Sequence, residues 1–206
     1  MKKAYKTAES ELPDFLSGDG KIINLSYRRL KSSDLKELFN KVENPDKVIE
    51  LNLYDNRLTD ISEIKRFKNL KRLFLDYNDI TDISGVKSLI KLRELYLHSN
   101  KLKDISALQY LNNLNVLDIR YNKITDISAL KDLTRLNILN IGYNKITDIS
   151  ALENLKRLKS LNLNNLQLEH GQIKYIKDLK LVQLFGNKAF KSDDLSQLNK
   201  NVTIYL

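Results

Sequence analysis

The segment Asn122-Lys-Ile-Thr-Asp-Ile-Ser128 recurs letter for letter from Asn144 to Ser150, 22 residues later. Close variants run from Asn56 to Ser62, Asn78 to Ser84 and Asn100 to Ser106. Copies held in phase at one spacing constrain the chain more tightly than its composition does. Each unit is too short to bury a core alone, so successive units must stack as turns of one coil. Such an array has no internal domain boundary, because each turn leans only on its neighbours.

Aligned, the units read Leu-x-x-Leu-x-x-Leu-x-Leu-x-x-Asn-x-Ile/Leu-x-Asp-Ile-Ser. The Leu-x-Leu pair is Leu51/Leu53, Leu73/Leu75, Leu95/Leu97, Leu117/Ile119, Leu139/Ile141 and Leu161/Leu163, with Ile23/Leu25, Val182/Leu184 and Val202/Ile204 as weaker members. Alternation over so few residues makes each pair a short strand with one buried face, and stacking sets the strands side by side in a parallel sheet at roughly 4.8 Å spacing. After each strand the apolar period lengthens to three, as in Ile127, Leu130, Leu133, Leu136 and in Ile149, Leu152, Leu155, Leu158. That spacing suits 3₁₀-like turns better than a full α-helix. Residues 34–42 differ. Leu35, Leu38, Phe39 and Val42 have helical spacing and Asp34 with Glu37 resembles a capping box, so the longer first unit should hold one α-helix.

Two polar columns accompany the leucines. Asn56, Asn78, Asn100, Asn122 and Asn144 follow the strand where the chain turns sharply, and a buried amide there can satisfy backbone groups of its own turn and of the next. Asp60/Ser62, Asp82/Ser84, Asp104/Ser106, Asp126/Ser128 and Asp148/Ser150 stand where the outer turn begins, a position at which both residue types cap backbone N–H groups. Aligned carboxylates also suit calcium, but capping accounts for all of them, and no metal is expected.

These residues resemble the leucine-rich repeat superfamily, and the Asn-x-Ile-Thr-Asp-Ile-Ser variant is most similar to the bacterial 22-residue type of internalin-like proteins. The resemblance covers residues 23–206. It implies an α/β leucine-rich repeat solenoid, curved, with a parallel β-sheet on the concave face, short 3₁₀ or helical turns on the convex face, and use in protein binding. Residues 1–22 then form an N-terminal cap segment, with Pro13 and Gly18-Asp19-Gly20 pointing to an extended, turn-rich cap where internalins carry a helical one. Residues 23–206 form a single domain of about eight repeats and a terminal strand. Toward the end the pattern loosens: Leu166 replaces the asparagine, the turn is rebuilt by residues 169–172, the spacings become 21 and 20, and Asn187 restores the ladder before the strand Val202–Leu206.

Residues between the leucines must point out of the concave face. The columns flanking the second leucine hold Asn24, Asn52, Phe74, Tyr96, Asp118, Asn140, Asn162, Gln183 and Thr203 on one side, and Ser26, Tyr54, Asp76, His98, Arg120, Gly142, Asn164, Phe185 and Tyr205 on the other. The column next to the ladder asparagine holds Tyr27, Asp55, Tyr77, Ser99, Tyr121, Tyr143, Asn165 and Gly186. Seven of the ten tyrosines fall here, although the leucines already fill the core. Rigid exposed aromatics offer large contact area at little entropic cost. Tyr77, Tyr121 and Tyr143 can equally shield the ladder. Tyr54, Phe74, Tyr96 and Phe185 replace other residue types in neighbouring repeats and read as fitted to a partner. With the column before the first leucine, the face carries Glu50, Asp55, Asp76, Glu94 and Asp118 against Arg72 and Arg120, so it is net acidic in a chain of formal charge +9. The lysines, among them Lys65, Lys68, Lys71, Lys87 and Lys91, therefore lie elsewhere. A nucleic-acid binder would interleave them with the aromatics.

The expected partner-binding residues are Tyr54, Arg72, Phe74, Tyr77, Glu94, Tyr96, His98, Asp118, Arg120, Tyr121, Tyr143 and Phe185. The expected partner is a protein that the sequence does not identify. The alternative is an electrostatic binder of RNA or anionic membrane through the lysine-rich convex surface. Catalysis finds no support: the chain has no cysteine, no P-loop and no Gly-x-Gly-x-x-Gly, so no cofactor is expected either. Asp76, His98 and Ser99 could form an Asp–His pair beside a serine, but an open sheet lacks the pocket and oxyanion site of a triad. The other histidine, His170, falls in the rebuilt turn. No apolar run reaches the length of a membrane span, and no h-region follows Lys2 and Lys3, so a cytoplasmic location is expected unless a leader has been removed. The oligomeric expectation is a monomer, with end-to-end association through the last strand as the way to a dimer.

Overall fold

Among the described residues (15–169, 171–176, 179–187, 195–196, 198 and 200–206 of a computed structural model), nine three-residue strands lie in one parallel sheet in sequence order. They are β1 (Ile22–Asn24), β2 (Glu50–Asn52), β3 (Arg72–Phe74), β4 (Glu94–Tyr96), β5 (Val116–Asp118), β6 (Ile138–Asn140), β7 (Ser160–Asn162), β8 (Leu181–Gln183) and β9 (Thr203–Tyr205). The first leucine of each pair sits at the strand centre, registered against its counterpart: Leu51 on Leu73, Leu73 on Leu95, Leu95 on Leu117. One register differs from the sequence expectation. Val182 pairs with Ile204, not Val202, so the spacing returns to 22 and Thr203 and Tyr205 each move one column. The alternation is equally good in either frame there; completion of the β8 hydrogen bonds decides it, with Thr203 N–H donating to Lys180 O and Leu184 N–H to Tyr205 O.

The outer side is thin, as the period of three requires. The 3₁₀ turns among the described residues are Pro45–Lys47, Ser62–Arg66, Ser84–Ser88, Ser106–Tyr110, Ser128–Leu130, Ser150–Leu152 and Gln172–Ile176. The single described α-helix is α1 (Ser32–Asn40), which buries Leu35, Leu38 and Phe39 and sets Phe39 edge-on to Phe67 at 4.8 Å. Asp34 is not its cap. It is the third helical residue, and its carboxylate accepts from Lys31 N–H at 2.8 Å, while Glu37 pairs with Lys41 one turn on. Of the expected cap segment, residues 1–14, including Pro13, lie outside the described residues. Phe15 is buried against the first repeat under the Arg28 guanidinium, and Ser17–Gly20 make a turn in which Gly20 takes φ +70°. No helix among the described residues is long and apolar enough to cross a membrane.

The asparagine ladder reaches backward, not forward. Asn100 Nδ2 donates to Leu97 O of its own turn and to Leu75 O of the preceding repeat, and its Oδ1 accepts from Ile80 N–H of that same preceding repeat. Asn78, Asn122 and Asn144 repeat the pattern. All are buried among leucines, where each backbone group left without a partner would cost about 1–3 kcal/mol. Where the ladder skips a rung at Leu166, Asn187 still donates to Leu163 O and Leu184 O, but its Oδ1 is left without a partner. In the Asp-Ser column only the aspartate caps. Asp104 Oδ1 accepts from Ser106 N–H at 2.7 Å while Ser106 Oγ donates to Asp104 Oδ2, bracing the cap instead of supplying another. No three His, Asp or Glu side chains gather as metal ligands among the described residues.

Asn100→Ala should therefore lower the unfolding free energy by about 2–3 kcal/mol, since it strands the Ile80 N–H and takes one of two asparagine donors from each of Leu75 O and Leu97 O. Asp104→Ala, which removes an exposed cap, should cost about 1 kcal/mol. Urea unfolding of both variants tests the contrast, and near-equal losses would contradict the ladder's role.

Candidate functional site

Every repeat turns out of its strand through a left-handed residue. The column next to the ladder asparagine has φ of 60° at Tyr27, 50° at Asp55, 55° at Tyr77, 54° at Ser99, 53° at Tyr121, 58° at Tyr143, 51° at Asn165 and 74° at Gly186. Aspartate, asparagine and glycine adopt this conformation readily, whereas a bulky tyrosine does so only when its surroundings impose it. Here the imposition is visible: the following asparagine is pinned by its own and the preceding turn, so the chain has to bend at the residue before it.

The bend sets these tyrosines against the rings of the adjacent column. Centroid separations are 5.1 Å for Tyr27–Tyr54, 5.3 Å for Tyr54–Tyr77, 5.0 Å for Tyr77–His98, 5.0 Å for His98–Tyr121 and 4.0 Å for Tyr121–Tyr143. Six rings thus run unbroken across the first six repeats, and Tyr77 and Tyr121 remain 46% and 44% exposed. A second pair, Phe74 and Tyr96, stacks in parallel at 4.9 Å on the neighbouring column. Burial, with the Tyr27 hydroxyl adding, pushes the Tyr54 phenol up to about 12. Burial, with the Glu94 carboxylate adding, does the same to Tyr96, whose hydroxyl donates to Glu94 Oε2 at 3.2 Å. These phenols stay protonated and uncharged.

The run ends at Tyr143, and Gly142 beside it has no room for a side chain. A Cβ there would come within 2.5 Å of Asn162 Oδ1 and 2.8 Å of Asn164 O, so no side chain fits beneath the amide that β7 lays across it. Beyond this point Asn140, Asn162, Asn164 and Gln183 give the sheet an amide-rich face. These amides are partly consumed by the scaffold: Asn162 Oδ1 accepts from Asn164 N–H and Asn164 Oδ1 from Phe185 N–H, as Asn52 Oδ1 does from Tyr54 N–H.

The acidic residues lie deeper than their column suggests. Asp118, expected to meet a partner, is only 4% exposed, and its carboxylate is occupied by Arg120 Nε and the Arg120 guanidinium end, Arg120 N–H and Asn140 Nδ2. That pairing raises Arg120 above its ordinary value and fixes its guanidinium at the surface. Arg72 is likewise engaged, with Glu50 one repeat earlier, and is raised for the same reason. Asp76 does not pair with the His98 imidazole. Its Oδ1 accepts from the His98 backbone N–H at 2.9 Å, and the ring is held instead between Tyr77 and Tyr121, where burial lowers its pKa. Burial pushes Asp76 up to about 6, and the nearby charge of Asp118 adds to the effect.

The structure thus brings Tyr54, Phe74, Tyr77, Glu94, Tyr96, His98, Arg120, Tyr121 and Tyr143 together on one surface, with Arg72 at its edge and Asp118 beneath it. Phe185 is 59% exposed but lies two repeats beyond Tyr143, outside the patch. Tyr27 and Asp76, which are not among the expected partner-binding residues, lie on the same surface. Tyr27 shares the left-handed column with Tyr77, and that shared column was the available signal. The signal for Asp76 is the column it shares with His98 and Arg120; unlike Asp118, it has no arginine two residues on.

A family model described as "Leucine Rich repeats (2 copies)" matches residues 46–88, 68–110, 90–132 and 112–154, together more than half of the chain. No curated protein matches. Among solved structures, an internalin (inlF) from Listeria monocytogenes is 31% identical with a TM-score of 0.67, over 78% of this chain and 54% of that one. The chain therefore spans about half the length of that internalin. Internalin C2 from the same organism is 28% identical with a TM-score of 0.74, over 89% and 79% of the two chains. The plant peptide hormone receptor RGFR1, solved in complex with RGF2, is 22% identical with a TM-score of 0.69 over 92% and 35%, a likeness of fold alone.

Asp76 yields a pH prediction. Its folded pKa of about 6 lies above its ordinary 3.8, so folding takes up a proton between those values and stability falls as pH rises through that window. Asp76→Asn keeps the acceptor for His98 N–H, as Asn164 shows in the same column with Phe185 N–H. It should add on the order of 1–2 kcal/mol at pH 7.5 and almost nothing at pH 4. Urea unfolding at the two pH values checks this; an equal effect at both would refute it.

Proposed function

The chain belongs to the leucine-rich repeat family, and from that premise we propose that it is a non-enzymatic module that takes a protein partner on its concave aromatic face. Leucine-rich repeat proteins serve as protein-interaction modules, and the internalin-like ones are generally non-enzymatic. The observation that carries the reading is the unbroken ring run beside the Phe74–Tyr96 stack. Leucines and isoleucines already close the core, so these rings are surplus to folding, and they are pre-ordered by one another. Binding through them would cost little side-chain entropy, which is what distinguishes an efficient contact surface from an equal area of mobile side chains. Arg120, held by Asp118, offers a fixed charged group at the centre of the patch, and Tyr143 closes the run at one end.

Alanine in place of Phe74 or Tyr96 tests the reading. Each half-buried ring loses its stacked partner, so each variant should be destabilised by only about 1 kcal/mol, yet pull-down of the partner bound by the unaltered protein should fall at least tenfold, about 1.4 kcal/mol of binding free energy. Lys87→Ala with Lys91→Ala, away from the concave face, should leave capture unchanged. Normal capture by both ring variants would put the binding surface elsewhere.

A further inference from the structure

Asp76 is a short side chain at a grid position surrounded by large ones. Along its own column its neighbours are Tyr54 on the preceding repeat and His98 on the following one. Along its own strand they are Phe74 and the left-handed Tyr77. With strands about 4.8 Å apart, the short Asp76 side chain ends below the four rings around it, so that they stand as walls about an acidic floor. The run of rings passes along one rim, from Tyr54 over Tyr77 to His98, and the Phe74–Tyr96 stack forms the other.

The floor differs from the other concave acids in one respect. Asp118 is matched by Arg120 and Glu50 by Arg72, but Asp76, 8% exposed, forms no ion pair among the described residues. The hydrogen bond to its carboxylate comes from the backbone N–H of His98. Buried carboxylates are costly without a cationic partner, and no described side chain supplies one at this site. The walls fit a cation as well. Phenol and phenyl faces attract guanidinium and ammonium groups, and the lowered pKa of His98 keeps its imidazole uncharged near neutrality.

We propose that the ring-walled depression over Asp76 is a subsite for a cationic side chain, a guanidinium or an ammonium, carried by the protein partner. The subsite rests on the concave-face reading above and gives it a chemical specificity: the partner presents an arginine or lysine that crosses the aromatic rim and completes the ion pair Asp76 lacks. The other charged and titratable groups around it are His98, Asp118, Arg120 and the phenols of Tyr54, Tyr77 and Tyr96. Of these Arg120 alone is a fixed cation, and it is already neutralised by Asp118.

The test uses N-acetyl-arginine amide as the probe and N-acetyl-citrulline amide as its uncharged counterpart, following the assigned His98 ring protons by NMR. The expected result is a saturable shift with the arginine probe at pH 7.5, at least fivefold weaker affinity in Asp76→Asn and in Tyr77→Ala, and no saturable shift with citrulline. Affinity should also weaken as pH falls through about 6, where Asp76 takes up its proton. Equal shifts from the two probes, or undiminished affinity in Asp76→Asn, would overturn the proposal. Because Asp76→Asn is expected to be more stable than the parent at pH 7.5, lost binding there cannot be assigned to unfolding. Failure of the probe while Phe74→Ala still loses partner capture would remove the cation subsite and leave the concave face standing. Probe binding in a protein whose capture survives Phe74→Ala and Tyr96→Ala would remove the concave-face reading, and the subsite's role in partner binding with it.

Discussion

A coil with a 22-residue turn must bend sharply at the end of every strand, and it must do so inside its own apolar core. Backbone groups at such a bend cannot all be paired by neighbouring strands, and water does not reach them. The ladder asparagine resolves this with one side chain, donating to two carbonyls and accepting one N–H, as at Asn122. Leucine at that position would fill the space, orphan the N–H and leave each carbonyl one donor short; aspartate would accept but not donate. The rest follows from the pinned bend: the left-handed residue before it, the strand that precedes it and the outer turn whose first N–H groups the Asp column caps.

The left-handed column is where scaffold and surface meet. Its conformation is set by the ladder and not by the residue occupying it, which is why tyrosine, serine, aspartate, asparagine and glycine all appear with nearly the same φ. Tyrosine carries the greatest steric cost there, and the ring contacts to Tyr54, His98 and the next tyrosine offset part of it. The aromatic face is thus a by-product of the bend that the chain has elaborated, not a layer added over an independent fold.

Period alone made most of the fold legible. The change from two to three marked strands and 3₁₀ turns, and the i, i+3, i+4 spacing of Leu35, Leu38 and Phe39 marked the helix. The register of β9 was not legible, because Val202, Ile204 and Leu206 keep the same alternation in either frame and only hydrogen bonding to β8 discriminates. The composition of the candidate site was readable from its columns, but its depth was not. Asp118 and Asp76 occupy outward positions, yet they sink beneath Arg120 and among rings because a short side chain on a crowded face is covered by longer neighbours. The same blindness concealed the backbone roles of Asn52, Asn162 and Asn164, whose carbonyl oxygens look free for a partner in a sequence and are spent on N–H groups in the fold.

The backward reach of the ladder gives the molecule a direction in time as well as in space. Leu58 N–H finds its acceptor only when Asn78 arrives, Ile80 when Asn100 arrives, Leu102 when Asn122 arrives, each 20 residues later in the chain. A ribosome delivers residues in that order. Each turn therefore leaves the exit tunnel incomplete and is closed by the one behind it, so the coil can be finished turn by turn as it is made, with only its newest bend waiting for a partner.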